Sequence, residues 1–532
     1  MVANQVATAP AAQAMTLVAG LVGERIAGEP RSGRDRLRSV ERRSVPGRCA
    51  LRQVDIGGRL HQERPPGVRP ASPIPQRARD ELRILLRLAL PLALATAGQA
   101  LRGLVDTAVV GRAGAVQLAG AALGNAVVFT VAILGIGTLM GVDPLISQAL
   151  GARDEVRARR LFWQAIRVSA VASTVLVLPA VGLAFALEPL GIAPDVARAS
   201  RSFILWRLPG LAALLAFYAQ RAYLQAVGAA RALLWATVLA NVLNLLGDLL
   251  LVFGGAGLPT WTGPLRWIPS MGAGGSALST TLVQWAEVAF LAWVVRQVPI
   301  PTWPANLHAR LVEDERRILR VGIPIGLHFG AEVGVFALAG FLAGRLGAES
   351  LSAHQIVLTF SSVTFTFALG IGNAGSVRVG LAVGARDTPG ARRAGLLAFG
   401  AGAAFMGCAA IAYLAFPGQL VALMTDAPGI AALAVPLFTV AAVFQVSDGL
   451  QGVGAGVLRG AGDSRFTFSA NVVGHYLIGL PLALVLGFQM HQGVVGIWWG
   501  LCAGLTAVAI ALVGRFLRVS SREILPLAVP RA

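Results

Sequence analysis

Gly151-Ala152-Arg153-Asp154 returns 233 residues later as Gly384-Ala385-Arg386-Asp387. Gly111-Arg112 returns at the same offset as Gly344-Arg345, and Pro91 maps onto Pro324. Three coincidences at one offset in an ordinary Gly- and Ala-rich sequence are improbable, so the chain is read as a duplication. Each copy holds six long apolar runs. An even number of spans per copy gives parallel repeats, related by an axis along the membrane normal.

Around that repeat the composition is decisive. Of 532 residues, 55% are hydrophobic and only 13% charged, and the mean hydropathy is +0.68. Soluble globular chains carry about 25% charged residues, so this one lacks the polar surface to coat a body in water. Twelve apolar segments fall at roughly 84–110, 116–147, 161–187, 199–226, 231–254, 272–296, 316–343, 350–380, 393–416, 430–457, 465–487 and 493–516. Runs of that length cross a bilayer as helices. The fold class is therefore an all-α polytopic membrane protein, with twelve transmembrane helices in two pseudo-symmetric six-helix lobes. The domain reading is a tail over 1–80, an N-terminal lobe over 82–300, a linker over 301–315, a C-terminal lobe over 316–518 and a C-terminal tail over 519–532.

The net charge of +19 comes from arginine alone, because Lys is absent. Residues 1–80 hold fourteen Arg against seven acids, with Pro-rich stretches such as Arg64-Pro65-Pro66-Gly67 and no sustained hydrophobic period. That composition reads as a disordered cytoplasmic extension, without the h-region of a secretory signal. The other arginines gather in alternate loops: Arg153, Arg157, Arg159 and Arg160 after span 2, and Arg310, Arg316, Arg317 and Arg320 after span 6. Arg386, Arg392 and Arg393 follow span 8, and Arg515, Arg518 and Arg522 close the chain. Basic loops stay in the cytoplasm, so both termini are placed there and the protein in a bacterial-type inner membrane. Arginines spent on topology leave no basis for nucleic-acid binding. The cysteines Cys49, Cys408 and Cys502 have no ligand spacing and make no disulfide framework.

A polar group at bilayer depth costs about 2.5–3.5 kcal/mol to insert, so each one is a functional candidate. Asp106 lies in span 1, Glu332 in span 7 and Asp448 in span 10; Asn244 and Asp248 share one helical face of span 5, and span 6 offers Thr280 and Thr281. Carboxyls withdrawn from water can exchange a proton near neutral pH, and clusters of oxygen ligands suit a hard cation such as Na⁺. Asp106 has a competing structural reading, as an acid paired with Arg102 one turn earlier. Asp143 and Glu287 lie nearer the span ends and are expected to reach the interface. His328, His354 and His475 are read as packed, hydrogen-bonded residues, and Trp261, Trp267, Trp498 and Trp499 as interfacial aromatics. Walker A, HExxH and complete GxSxG sequences are missing, so neither an ATP-driven pump nor an enzyme is expected.

Against these residues a family resemblance stands out. Ala89-Leu90-Pro91, Gln99 and Asp106-Thr107-Ala108-Val109-Val110-Gly111 resemble the opening helix of multidrug and toxic-compound extrusion (MATE) transporters. Ala353-His354-Gln355-Ile356, Gly370-Ile371-Gly372 and Val377-Arg378-Val379-Gly380 are similar to helix 8 of the NorM-like branch, and Asp448 with Leu458-Arg459-Gly460 to its helix 10. The likeness covers about 82–518. It implies a V-shaped pair of lobes exporting organic cations and other amphipathic drugs against Na⁺ or H⁺ by alternating access, as a monomer in the bilayer with no cofactor. It further implies a C-lobe coupling site at Glu332 and Asp448 and an N-lobe site at Asp106, Asn244, Asp248 and Thr280. Gln99 and Gln355 are taken as supporting polar residues. Arg102 departs from the apolar residue expected beside Asp106. The alternative is a lipid-linked oligosaccharide flippase of the same broad fold, which calls for a wide Arg-lined cavity; a channel or scaffold would show no counter-ion dependence.

Overall fold

A computed structural model describes residues 77–301 and 306–527; the tail expected over 1–80 lies, up to residue 76, outside the described residues. Backbone groups in a bilayer have no water to bond, so they must satisfy one another within helices. Among the described residues there is accordingly no strand. The spans are α1 (Ala78–Gly111), α2 (Ala115–Gly151), α3 (Glu155–Ala186), α4 (Pro194–Arg207 with Pro209–Ala226), α5 (Ala230–Phe253) and α6 (Ala273–Gln297). The second set is α7 (Val312–Arg345), α8 (Ala348–Gly384), α9 (Thr388–Ala415), α10 (Pro428–Ala461), α11 (Ser464–Gln489) and α12 (Gly493–Val519). The two parts of α4 meet at 46°, where Pro209 supplies no amide hydrogen for the helical ladder. Counting that pair as one span, twelve helices are long and apolar enough to cross a membrane.

The duplicated tetrapeptide folds twice into the same turn. Asp154 N–H donates to the Ala149 carbonyl and Asp387 N–H to the Ala382 carbonyl, both at 2.9 Å, which closes α2 and α8 in the same way. Between them Arg153 and Arg386 adopt φ of 61° and 57°. Each aspartate then caps the next helix: Asp154 accepts from Arg157 N–H at 2.9 Å, and Asp387 from Gly390 N–H at 2.8 Å. The prolines Pro91 and Pro324 lie inside α1 and α7 at the same offset.

The halves meet where α2 crosses α8. A side chain on Gly151 would collide with the Leu381 carbonyl, and one on Gly384 with the Gln148 carbonyl. These contacts are each other's image under the 233-residue offset, so the pseudo-twofold passes through this crossing. Only a residue without Cβ permits backbones to approach so closely. At the same end of the bundle Glu81 of α1 pairs with Arg378 of α8 at 2.6 Å, both fully buried. Asp143 of α2 pairs with Arg459 of α10 at 3.5 Å. Gln148 Nε2 donates to the Gly460 carbonyl at 3.0 Å and its Oε1 accepts from Leu527 N–H at 2.8 Å. The stretch after α12 is thus held against α2. The segment leading into α7 lies along α3, where Gln164 bonds both Ala309 and Leu311.

Candidate functional site

In the first half, helices α1, α5 and α6 bring Asp106, Asn244, Asp248 and Thr280 together. Asn244 Nδ2 donates to Asp106 Oδ1 at 2.5 Å and to Asp248 Oδ2 at 3.2 Å. Thr280 Oγ1 donates to Asp106 Oδ2 at 3.2 Å, and Ser279 Oγ to the Asn244 carbonyl at 3.1 Å. The four-residue spacing of Asn244 and Asp248 puts both on the inner face of α5, where both are fully buried. Asn244 Oδ1, Asp248 Oδ1 and Ser276 Oγ have no hydrogen-bond partner among the described residues. Buried polar atoms of that kind need a proton, a water or a cation.

In the second half, Glu332 on α7 and Asp448 on α10 are both buried, 7% and 4% exposed. His328, one turn before Glu332, approaches it at 3.5 Å. A cavity with room for about one water lies beside Glu332, lined also by His328, Asn373, Gln451 and Arg459. A second belt of polar contacts lies nearby on α8 to α10: Gln445 Nε2 donates to Tyr413 Oη at 2.8 Å and to Thr364 Oγ1 at 2.5 Å.

The remaining polar and aromatic residues of the spans fall in different places. Gln99 takes no part in the Asp106 cluster; it faces a small cavity with Thr96, Arg221 and Asn373. Gln355 is exposed, since α8 turns the adjacent Ala353, His354, Ile356 and Val357 inward. Arg102 pairs with Glu287 on α6 at 3.4 Å rather than with Asp106. Asp143 and Glu287 do not reach the interface: they are 2% and 5% exposed, and each is matched by an arginine. Trp498 is fully buried and donates to His354 Nδ1 at 3.1 Å, so it is no interfacial residue, whereas Trp261 and Trp267 are 84% exposed.

Among the described residues, six buried acids and the half-buried Asp106 divide into two classes. Glu81, Asp143 and Glu287 each have an arginine within 4 Å, while Asp106, Asp248, Glu332 and Asp448 have none. The pairings could not be read from spacing, because the partners lie 185 to 316 residues apart in sequence. The one signal in the sequence is Arg378, which lies inside the apolar run 350–380; Arg459 falls just past the run 430–457, on a helix that continues to Ala461.

Comparison with known proteins agrees with this architecture. A family model described as MatE matches residues 91–250 and 324–485. The multidrug resistance protein NorM of Burkholderia vietnamiensis is 35% identical over 446 residues, covering 82% of this chain and 94% of that protein. A probable multidrug resistance protein NorM of Deinococcus radiodurans is also 35% identical, with 82% and 95% covered. Among solved structures, a MATE in the straight conformation superposes with a TM-score of 0.75 at 20% identity, covering 86% of this chain and 99% of that one. An outward-facing conformation of a multidrug resistance MATE transporter gives 0.74 at 19% identity, with the same coverage.

Proposed function

The chain belongs to the MatE family, and from that premise we propose that it is a multidrug efflux antiporter, exporting organic cations and other amphipathic compounds in exchange for Na⁺ or H⁺. The observation that carries the coupling reading is the division among the acids within the spans. A structural carboxylate in a low-dielectric interior needs a fixed counter-charge. Glu81, Asp143 and Glu287 have an arginine within 4 Å; Asp106, Asp248, Glu332 and Asp448 have none that close. These four are the groups whose charge is free to be balanced by an exchangeable ion.

Alternating access follows from where the halves touch. Glu81–Arg378 and Asp143–Arg459 join them at the end from which the odd-numbered helices start. From the arginine distribution we read that end, and both termini, as cytoplasmic. The described conformation is then sealed inward and presents its site outward. Loading of an ion on the carboxyls favours one lobe arrangement and the drug the other, so the two compete through a shared equilibrium. The protein is read as working as a monomer in a bacterial inner membrane. The flippase alternative, with its Arg-lined cavity, finds little support: Arg102, Arg378 and Arg459 are matched to acids, and Arg159 donates to the carbonyls of Val295 and Val298.

The test is expression in a drug-hypersensitive bacterium with dye-efflux assays. Glu332→Ala and Asp448→Ala are each expected to abolish resistance and efflux while the protein still reaches the membrane. Unchanged efflux in both would remove the C-lobe site.

A further inference from the structure

Two polar side chains on α11 have been given no role. Asn471 and His475 are 0% and 1% exposed, and they stand one turn apart. Both polar atoms of the Asn471 amide and both ring nitrogens of His475 have no hydrogen-bond partner among the described residues. His354 bonds Trp498 and His328 approaches Glu332, so His475 alone of the three span histidines has neither ring nitrogen near a polar partner. A buried polar group without a partner costs about 1–3 kcal/mol. Four such atoms on adjacent turns are a consistent feature of one face, not a stray defect.

The register of α11 on α7 shows what that face meets. Ser464 Oγ donates to the Val321 carbonyl at 3.0 Å and Tyr476 Oη to the Ala331 carbonyl at 2.8 Å. The two helices therefore run parallel at an offset of 143 to 145 residues. At that offset Asn471 comes level with His328, and His475 with Glu332. The His475 ring also lies 6.3 Å from that of Phe336, one turn beyond Glu332. The backbone adds a second observation. Residues Val473–Gly479 form a π-helical stretch in the middle of α11, a wide turn that aims side chains differently from an α-helix and recurs at functional sites. His328 Nδ1 and both polar atoms of Gln451 are likewise without partners among the described residues. They border the cavity already described.

We propose that Asn471 and His475 form a water-binding site that hydrates Glu332 from the α11 side, and that this water is the path by which the coupling ion reaches the α7–α10 carboxyls. The proposal rests on the reading of Glu332 and Asp448 as the coupling pair. Water is the occupant that suits an amide and an imidazole together, since it both donates to and accepts from each. Groups of three or more His, Cys, Asp or Glu side chains arranged to hold a metal do not occur among the described residues, so a resident metal is the poorer fit. His475 and Asn471 act through the water, as positioning residues.

The experiment uses purified full-length protein in proteoliposomes, with a cationic dye as cargo and the gradient of Na⁺ or H⁺ varied. His475→Phe keeps the aromatic contact with Phe336 and removes both nitrogens; His475→Gln restores a donor and an acceptor. His475→Phe is expected to slow efflux roughly tenfold at limiting ion, the size typical of losing a supporting hydrogen-bond group. It should raise the ion concentration giving half-maximal rate and leave the dye KM at saturating ion unchanged, while His475→Gln recovers most of the rate. In the wild type, deuterium exchange at the His475 ring carbon, read by mass spectrometry, should approach that of exposed His491 and outpace that of His354. Equal rates for His475→Phe and wild type, or for His475→Gln and His475→Phe, would overturn the proposal, as would a His475 ring as protected as His354. Glu332→Ala runs in parallel: if it too leaves efflux intact, the coupling-pair reading has failed, and if it alone stops efflux, only the water site has.

Discussion

Arg102 precedes Asp106 by one turn of α1, yet its guanidinium reaches across to Glu287 on α6. The consequence is that an acid flagged by position alone, Asp106, is served by neutral donors, Asn244 and Thr280. Removing one member of a buried ion pair leaves the other charge stranded, at a cost on the order of 3–5 kcal/mol, whereas replacing both by apolar residues is often neutral. Arg102→Leu is therefore expected to lower thermal stability in detergent sharply, and Arg102→Leu with Glu287→Leu to restore it. Equal stability of the single and double variants would show that the pair does not hold α1 to α6. At this scale the sequence disclosed the acids but not their partners. Asp106, Asn244, Asp248 and Thr280 were legible because each is polar inside an apolar run; Gln99 and Gln355 were polar too, yet Gln99 borders a separate small cavity and Gln355 is exposed. Composition cannot tell which face of a helix a residue occupies when the helix is apolar nearly all round.

The paired turns after α2 and α8 show how much one helix junction decides. Asp154 and Asp387 cap α3 and α9 by the same bond to the residue three positions on. Loss of such a cap costs about 1 kcal/mol, so Asp387→Ala should lower the melting temperature measurably. Arg386 sits at φ 57°, where a Cβ costs roughly 1–2 kcal/mol. Arg386→Gly should shift the melting temperature in the opposite direction. If both substitutions moved it the same way, the duplicated turn would not be the strained, capped junction described here. The helices themselves were legible from hydropathy, with one systematic difference. α1, α3 and α7 begin at residues 78, 155 and 312, some four to six residues before their apolar runs, because charged first turns project beyond the hydrocarbon and hydropathy does not register them. The π-helical turns of α11 left no trace in composition at all.

For the whole molecule, the duplication seen in four tetrapeptide residues became a pseudo-twofold that passes through the crossing of α2 and α8. That crossing closes one end of the bundle and must open if the site is to face both sides of the membrane. Ser147 packs against Gly380 there: a Cβ added to the glycine would lie 2.9 Å from that of Ser147. A Ser147→Cys, Gly380→Cys pair is thus within reach of a disulfide after a small adjustment. Oxidation is expected to stop efflux and reduction to restore it, whereas continued efflux by the cross-linked protein would show that the closed end need not part. The repeat and the twelve spans were readable in the chain. The closed end was not, since it depends on contacts between residues hundreds of positions apart, and on glycines whose only distinction is what they let approach.

The central claim is that the carboxyls of Asp106, Asp248, Glu332 and Asp448, which have no arginine within 4 Å, couple drug export to an ion. It is tested most directly by efflux of a cationic dye from proteoliposomes, with the Na⁺ gradient varied at fixed pH and then the pH gradient varied at fixed Na⁺, for the wild type and for Glu332→Gln with Asp448→Asn. Efflux by the wild type should accelerate with the gradient of at least one of the two ions, and the double variant should lose that acceleration. Efflux indifferent to both gradients, or a double variant that responds as the wild type does, would contradict it.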